Sequence, residues 1–342
     1  MRAGTHPDGL VDLSIGTPVD PVPEAVQAAL SGAADSPGYP LTAGTVALRT
    51  AITDWVGRAC GAAPGFGVLP TIGSKELVAW LPTLLGIGPG DTVVIPKVCY
   101  PTYAVGVALA RANLVRADSL TALGPAPVAL LWLNSPANPT GQVLPEAHLR
   151  KLLAWARERG TVLVSDECYL TLGWERSPTS ILSICDGDYT GVLALHSLSK
   201  RSNLAGYRAG FVSGDPALVK ELLAVRKHAG MMLPAPVQAA MVAALGDESH
   251  AEAQRERYRA RRALLRPALE KAGFTIEHSE AGLYLWVTRD EDCWSTVDWF
   301  AALGVLVAPG AFYGPAGECH VRIALTATDE RVESAVRRLT GP

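Results

Sequence analysis

Short, near-continuous apolar runs alternate with amphipathic stretches through the middle of the chain. TVVIP (92–96), VALLWLN (128–134), TVLVSDE (161–167), VLALHS (192–197) and AGFVSG (209–214) are each bounded by Gly, Pro, Asp or Ser. Runs of that length and composition read as strands covered on both faces. Between them lie helical patterns such as PEAHLRKLLAWARERG (145–160). The order predicts an α/β fold with a mostly parallel, mixed sheet flanked by helices. In such sheets ligands gather beyond the carboxyl ends of the strands, so the residues just after each run are the informative ones. From Ser249 the pattern changes to one long charged helix, SHAEAQRERYRARRALLRPALEKAG, followed by strand-like AGLYLWVT, GVLVAPG and HVRIALT and a closing helix. This predicts a large domain over 38–247 and a smaller α+β domain built from 1–37 and 248–342. The arginines from Arg255 to Arg266 alternate with glutamates and read as a solvated helix face.

Composition narrows the class. The 342 residues are 49% hydrophobic and 18% charged, with a net charge of −3, and the arginines are scattered rather than gathered in a stripe. A folded globular protein with a small-molecule partner is expected, not one that binds nucleic acid. The N-terminus MRAGTHPDGLVDLS lacks the basic, apolar, small-residue order of a signal peptide, and no apolar run approaches the ~20 residues of a membrane span. A cytoplasmic location without membrane attachment is therefore expected. Six cysteines stand far apart with no C-x-x-C pair, which suggests reduced thiols and no metal site.

The strand ends carry the candidate chemistry. Asp166, in VSDECY, ends an apolar run, where a carboxylate is costly unless donors or a cation meet it. It either caps a following helix or faces a protonated ring nitrogen, with Tyr169 directing its phenol to the same side. Asn138, in NSPANPTG, sits in a proline-stiffened turn that serves as a plain turn or holds an amide against a ligand oxygen. In HSLSK, Ser197 and Ser199 precede Lys200, and Arg208 follows eight residues later at the entry to another strand. A lysine there is either a surface charge or, with a hydroxyl and an arginine fork, suited to a carbonyl beside a phosphate. Upstream, Gly73 and Ser74 open an apolar-periodic helix in LPTIGSKELVAWL. Ser74 reads as its N-cap, and free helix-start amides also attract an anion.

In this order and spacing, the motifs G-S-x-E, Y-P, N-P-T-G, D-E-x-Y, S-x-S-K, G-x-R-x-G and a late R-I resemble the fold type I pyridoxal-phosphate aminotransferases of class I/II, across nearly the whole chain. The resemblance implies pyridoxal 5′-phosphate as cofactor, with Lys200 holding its aldehyde and, once displaced by an amino donor, moving the α-proton. It implies Asp166 at the pyridine nitrogen, and Asn138 and Tyr169 at the phenolic oxygen. Ser74, the Lys75 amide, Ser197 and Arg208 would hold the phosphate, and Tyr100 would stack on the ring. Tyr39 would reach the phosphate of a neighbouring subunit, which implies a homodimer with shared sites. Arg322 would clamp the substrate α-carboxylate, with the Gly16 region of SIGTP closing over it.

The segments SIGTPVDPVP, GYPLTAGT, IGSKELVAWLPTLLG, SDECYLTLGW, AVRKHAGMMLPAPVQAAM and YGPAGECHVRIALTATDERV are similar to the succinyldiaminopimelate aminotransferases of actinobacterial type. That likeness implies transfer of nitrogen from glutamate to N-succinyl-2-amino-6-oxopimelate, in lysine and diaminopimelate biosynthesis. Other class I/II aminotransferases, of acetylornithine, LL-diaminopimelate or aspartate type, and a pyridoxal-phosphate lyase share the same cofactor shell. Where aspartate-specific members carry an arginine, this chain reads HAGMMLPAP, a neutral loop suited to a longer substrate. Arg226, Lys227 and His228 just before it are candidates for a remote carboxylate. The N-terminus starts close to VDLSIGTP and leaves little room for an arm over a partner subunit. A nicotinamide dehydrogenase is disfavoured, because GIGPGD precedes a strand instead of following one.

Overall fold

The computed structural model describes residue 4 and residues 6–341. A two-residue strand β1 (Val11–Asp12) is followed by helices α1 (Glu24–Gly32) and α2 (Val46–Cys60). The main sheet holds β2 (Gly67–Ile72), β3 (Thr92–Ile95), β4 (Asn113–Arg116), β5 (Leu130–Asn134), β6 (Val162–Asp166), β7 (Val192–Ser197) and β8 (Ala209–Gly214). Their spatial order is β2-β8-β7-β6-β5-β3-β4. Strands β3 to β7 run parallel, while β8 lies antiparallel between β7 and β2. The sheet is therefore mixed and mostly parallel, as the apolar runs imply.

Alternation along these strands explains why both faces are covered. Leu131, Leu133, Leu163 and Ala194 point to one face, where they meet Leu48, Ile52 and Val56 of α2 and the apolar sides of α5 (Glu146–Arg159) and α8 (Ala235–Gly246). Leu130, Trp132, Val164, Leu193 and Leu195 point to the other, against α3 (Gly73–Leu84), α4 (Thr102–Ala110) and α7 (Pro216–Arg226). Register sets the strand ends level: Asn134 pairs with Asp166, and Asp166 with Leu195. One short helix, α6 (Leu198–Arg201), leaves β7 at that level.

A second core lies in the C-terminal part. The long helix α9 (Ser249–Lys271) and α11 (Asp329–Thr340) cover a four-stranded sheet, order β12-β13-β10-β9, of β9 (Thr275–Glu277), β10 (Tyr284–Thr288), β12 (Ala308–Pro309) and β13 (His320–Ala324). Helix α10 (Cys293–Ala302) leads into β11 (Val305–Leu306), which pairs in parallel with β1. The N-terminal segment divides its contacts: Leu13 bonds to the backbone of Leu306 and Ala324, whereas Val26 of α1 joins the core of the large sheet. Among the described residues no helix is long and apolar enough to cross a membrane.

The arginine-rich helix α9 departs from the solvated face expected of it. Arg261 is 2% exposed. Its guanidinium donates to both carboxylate oxygens of Asp20 (2.8 and 2.7 Å) and to Asp329 (2.7 Å). Arg262 and Arg266 both reach Glu175. The stripe is thus a set of ties, invisible in sequence because its partners lie far along the chain. Burial alone would raise the Asp20 pKa, but hydrogen bonds and charge from Arg261 outweigh it and hold the carboxyl below its ordinary value. A depressed carboxylate adds stability above the unfolded pKa and loses it as pH falls through the folded one. Arg261→Ala should cost about 3 kcal/mol, because it removes the main cation from a largely shielded carboxylate and leaves it Gln254 and a longer contact with Arg257; urea unfolding at pH 7 measures this, and a loss under ~1 kcal/mol would refute the tie.

Candidate active site

A cavity of about 620 Å³ opens at the carboxyl ends of the central strands, roofed by β10, β13 and residues 15–17. Of the residues expected to form a site, Gly16, Ser74, Lys75, Tyr100, Asn138, Asp166, Tyr169, Ser197, Lys200, Arg208 and Arg322 all line it. Tyr39 does not; it is 94% exposed. A second cavity of about 500 Å³, between α5 and the small sheet, contains none of the expected residues.

Lys200 is placed by a turn that the sequence builds locally. Ser197, the last residue of β7, caps α6 by accepting from the Ser199 N–H at 3.2 Å, and Lys200 projects from that single turn. Its ammonium donates to the Gly16 carbonyl. Burial pushes its pKa down, and the charges of Arg322 and Arg208 add to the effect against opposing pulls from Tyr284 and Cys168.

Asp166 ends β6 and caps no helix. Its Oδ2 accepts from the Tyr103 hydroxyl at 2.8 Å and its Oδ1 from the Cys168 N–H at 3.2 Å. Burial raises its pKa, and those hydrogen bonds only partly offset the rise. A cation beside it would restore the ionised form. Tyr103 is itself fully buried and stacked on Trp132, with ring centroids 4.8 Å apart. Sequence reasoning missed it; its only signal is its place one helical turn after Tyr100.

Asn134, the last residue of β5, likewise reads in the sequence only as part of a strand. Its amide donates to the Asp166 carbonyl (2.8 Å) and its oxygen accepts from the Asn138 N–H (2.7 Å). It clasps the Asn138 turn to the end of β6. Both X-Pro bonds of that turn, Ser135–Pro136 and Asn138–Pro139, are cis. Asn138 Oδ1 then accepts from Arg322 at 3.0 Å.

Arg322 sits on β13 beside Trp286 of β10 and donates to the Ser14 carbonyl at 2.7 Å. Its Nε is buried without a partner. Its guanidinium lies 3.9 Å from the centroid of the Tyr284 ring and 4.9 Å from that of Tyr313. At the opposite end of the cavity Gly73, at φ +71°, starts α3; a Cβ there would fall 2.4 Å from the Arg208 guanidinium. The backbone conformation favours glycine here, and a side chain would also displace the Arg208 guanidinium. Arg208 spends one hydrogen bond on the Ala205 carbonyl. Ser74 is not the N-cap: α3 begins at Gly73, after Ile72, so Ser74 lies in the first turn, where its N–H and that of Lys75 have no partner within the helix. Four cationic side chains, Lys75, Lys200, Arg208 and Arg322, thus line the cavity against one carboxylate, Asp166. Such a site selects anions at two separated points, around one amine.

One other expectation changes. Arg226 is fully buried and forks onto Glu76 at 2.8 and 2.9 Å, so it does not serve a remote carboxylate. Behind the site, Cys60, Glu167 and His196 bring three ligand-type atoms within 4.8 Å of one another. Both Glu167 oxygens already accept, from Ser180 (2.6 Å) and the Ile181 N–H (2.7 Å). This trio is a polar knot in the core that anchors the chain just beyond Asp166.

The family described as aminotransferase class I and II matches residues 8–339. The chain is 63% identical to the probable aminotransferase Rv1178 of Mycobacterium tuberculosis, over 99% of this chain and 82% of that protein. It is 59% identical to the 4-dedimethylamino-4-oxo-anhydrotetracycline transaminase OxyQ of Streptomyces rimosus, over 99% and 95%. Among solved structures, a probable N-succinyldiaminopimelate aminotransferase from Thermus thermophilus superposes with a TM-score of 0.88 at 32% identity, covering 97% of this chain and 94% of that one.

Burial lifts the Glu167 carboxyl to about 7 despite its donors, while burial pushes His196 down to about 3. A carboxyl raised on folding contributes stability that is full below the unfolded pKa and is lost as pH climbs through the folded one. Unfolding free energy should therefore fall by roughly 3 kcal/mol between pH 4.5 and pH 8 from this group. His196 pulls the opposite way over this window, so the test is the difference: unfolding free energy of Glu167→Gln minus that of wild type should rise by roughly 3 kcal/mol from pH 4.5 to pH 8 in denaturant titrations, and a difference constant with pH would show that Glu167 stays ionised.

Proposed function

The chain belongs to the class I and II aminotransferases, and we propose that it carries nitrogen from glutamate to N-succinyl-2-amino-6-oxopimelate, using pyridoxal 5′-phosphate held at Lys200. The observation that carries this reading is the single cavity in which a buried amine, a buried carboxylate and two separate arginines converge. The residues fit that cofactor. Arg208, packed where Gly73 lacks a Cβ, and the free amides of the α3 N-terminus form a cradle for a phosphate. Ser197 and Ser74 line the same end. Asp166 would offer its carboxylate to a protonated ring nitrogen, Tyr100 would flank the ring, and Asn138 and Tyr169 would serve its phenolic oxygen.

Bound there, the cofactor supplies an electron-withdrawing ring that stabilises the charge left when a proton leaves the amino acid's α-carbon. The rest falls to the chain. A lowered Lys200 pKa keeps more of the amine neutral, as it must be to join a carbonyl and to accept the α-proton at Nζ. Arg322 exchanges the Ser14 carbonyl and the Asn138 oxygen for a substrate carboxylate, bound two-pronged. The Gly16 carbonyl accepts from Nζ and holds the amine beneath the closing segment. Donor and acceptor use the same groups in turn: the amino group leaves the donor as the oxo acid departs, and the oxo substrate takes it up. Two chains pair, with Tyr39 offered to a partner's phosphate; its exposure, with that of Leu41 and Val46, supports this.

The named specificity of the Thermus thermophilus neighbour supports the succinylated acceptor. A second reading, a bulky polycyclic oxo acceptor, rests on the 59% identical transaminase OxyQ and on the aromatic wall of Tyr100, Tyr284, Phe312 and Tyr313.

Lys200→Ala mixed with pyridoxal phosphate should show the band of the free aldehyde without the imine band, and no transamination; a spectrum equal to that of wild type would reject the anchor. Arg322→Ala should lower kcat/KM for amino and oxo acids alike by about 100-fold, and a change confined to one substrate would remove it from the shared clamp. Acceptors are ranked by the rate at which each restores the starting spectrum after glutamate has converted it. Faster turnover of an aromatic polycyclic ketone than of N-succinyl-2-amino-6-oxopimelate would favour the second reading.

A further inference from the structure

One residue between Arg322 and Lys200 has no role in the family pattern quoted above. Tyr284 is buried, its ring lies under the Arg322 guanidinium, and its hydroxyl is 3.2 Å from that of Tyr169. The two rings meet edge-on, with centroids 5.8 Å apart and planes at 75°. A Cβ on Gly16 would fall 2.2 Å from the Tyr284 hydroxyl, so the closing segment lies directly against it. Supporting a guanidinium needs only an aromatic face, which phenylalanine supplies without burying a polar atom. The hydroxyl must therefore be explained by what it bonds.

The surrounding charges set the two phenols apart. Burial would raise the Tyr284 pKa, but Arg322 and Lys200 overcome it and make this phenol more acidic than an ordinary tyrosine. Tyr169 is driven the other way, first by burial and then by Tyr284 itself. Either oxygen of the pair can donate; on the cofactor reading Tyr169 spends its proton on the phenolic oxygen, so the bond between the two phenols takes its proton from Tyr284.

Resting on the cofactor reading given above, we propose that Tyr284 is a positioning residue: its ring orients Arg322 for a carboxylate, and its hydroxyl donates to Tyr169 and so aims the Tyr169 O–H at the cofactor's phenolic oxygen. One side chain then joins the substrate clamp to the electronic tuning of the cofactor.

The two parts separate in the cofactor-loaded protein. Tyr284→Phe keeps the ring and removes the donor. The Tyr169 hydrogen bond to the phenolic oxygen weakens, the deprotonated form of the bound cofactor loses support, and its visible absorbance should titrate at higher pH by about half a unit or more. The KM for glutamate should stay within about twofold. Tyr284→Leu also removes the ring, and the KM for glutamate should rise by about tenfold or more. A Tyr284→Phe midpoint equal to wild type would overturn the donor role, and an unchanged KM in Tyr284→Leu would overturn the support of Arg322. The near-isosteric Phe variant keeps the test open even where the Leu variant misfolds. The wild-type spectrum is the control: no visible absorbance there would defeat the reading of the cavity itself, whereas a normal one with an unmoved Phe midpoint defeats Tyr284 alone.

Discussion

Burial acts on an amine and a carboxylate at the ends of neighbouring strands, and much of the structure keeps both usable. Lys200 and Asp166 would each be neutralised by desolvation in an apolar interior. They persist because the sheet stops at their level, where backbone and side-chain partners replace water: the Gly16 carbonyl for the amine, Tyr103 and the Cys168 N–H for the carboxylate. The register that aligns Asn134, Asp166 and Leu195 puts those ends side by side. Asn134 ties the Asn138 turn to β6, Trp132 fixes the Tyr103 ring, and Glu167 anchors the chain beyond. These supports touch no reacting atom in the proposed chemistry. They set the distances.

The second constraint is that the site is finished by distant segments. Arg322 arrives on the small sheet, and the Gly16 carbonyl on the N-terminal segment threaded between β11 and β13. That segment is held at both ends: Leu13 bonds to the backbone of Leu306 and Ala324, and Asp20 to Arg261. Arg322 bonds to the Ser14 carbonyl, so a carboxylate that takes its place loosens one tie of the segment while drawing the guanidinium into a stronger, charge-assisted pair. On the proposed reading, binding at the clamp would be felt by the segment over Lys200, because Ser14 and Gly16 are two residues apart.

Where the sequence is legible, one feature decides the outcome locally. The buried strands announce themselves as apolar runs with period-two alternation into two cores, and the residues at their ends, Asp166, Asn138, Lys200 and Arg208, carry unusual chemistry at short motifs. Elements without such a signature are harder to read. β2 contains Pro70 and borders a glycine-rich stretch, and β4 is four residues with exposed positions. The supporting residues are hidden for another reason: Asn134, Tyr103 and Tyr284 belong to regular elements and acquire their roles only from partners 32, 63 and 115 residues away. Arg226 and Arg261 mislead in the same way, since an arginine's periodicity cannot tell a buried fork from a solvated charge. Ser74 shows the limit of cap rules: a glycine able to turn at positive φ starts the helix earlier than the hydroxyl suggests.

Charge accounts for what every substrate of such a site shares, and leaves choice among them to neutral surface. On the proposed reading Arg208 would take the phosphate, Arg322 the α-carboxylate and Lys200 the carbonyl, so the strong electrostatic contacts would be spent on groups common to all amino and oxo acids. The remaining wall is Ile15, Tyr100, Tyr284, Phe312 and Tyr313, of which Ile15 and Phe312 are exposed at its rim. Apolar contact of this kind distinguishes one methylene by only about 1–3 kcal/mol. Two relatives similar to this chain at 63% and 59% identity, one named only as an aminotransferase and the other for a tetracycline-type ketone, are what such a division permits: on the proposed reading the charged half of the cavity fixes the reaction, and a few rim side chains would redirect it.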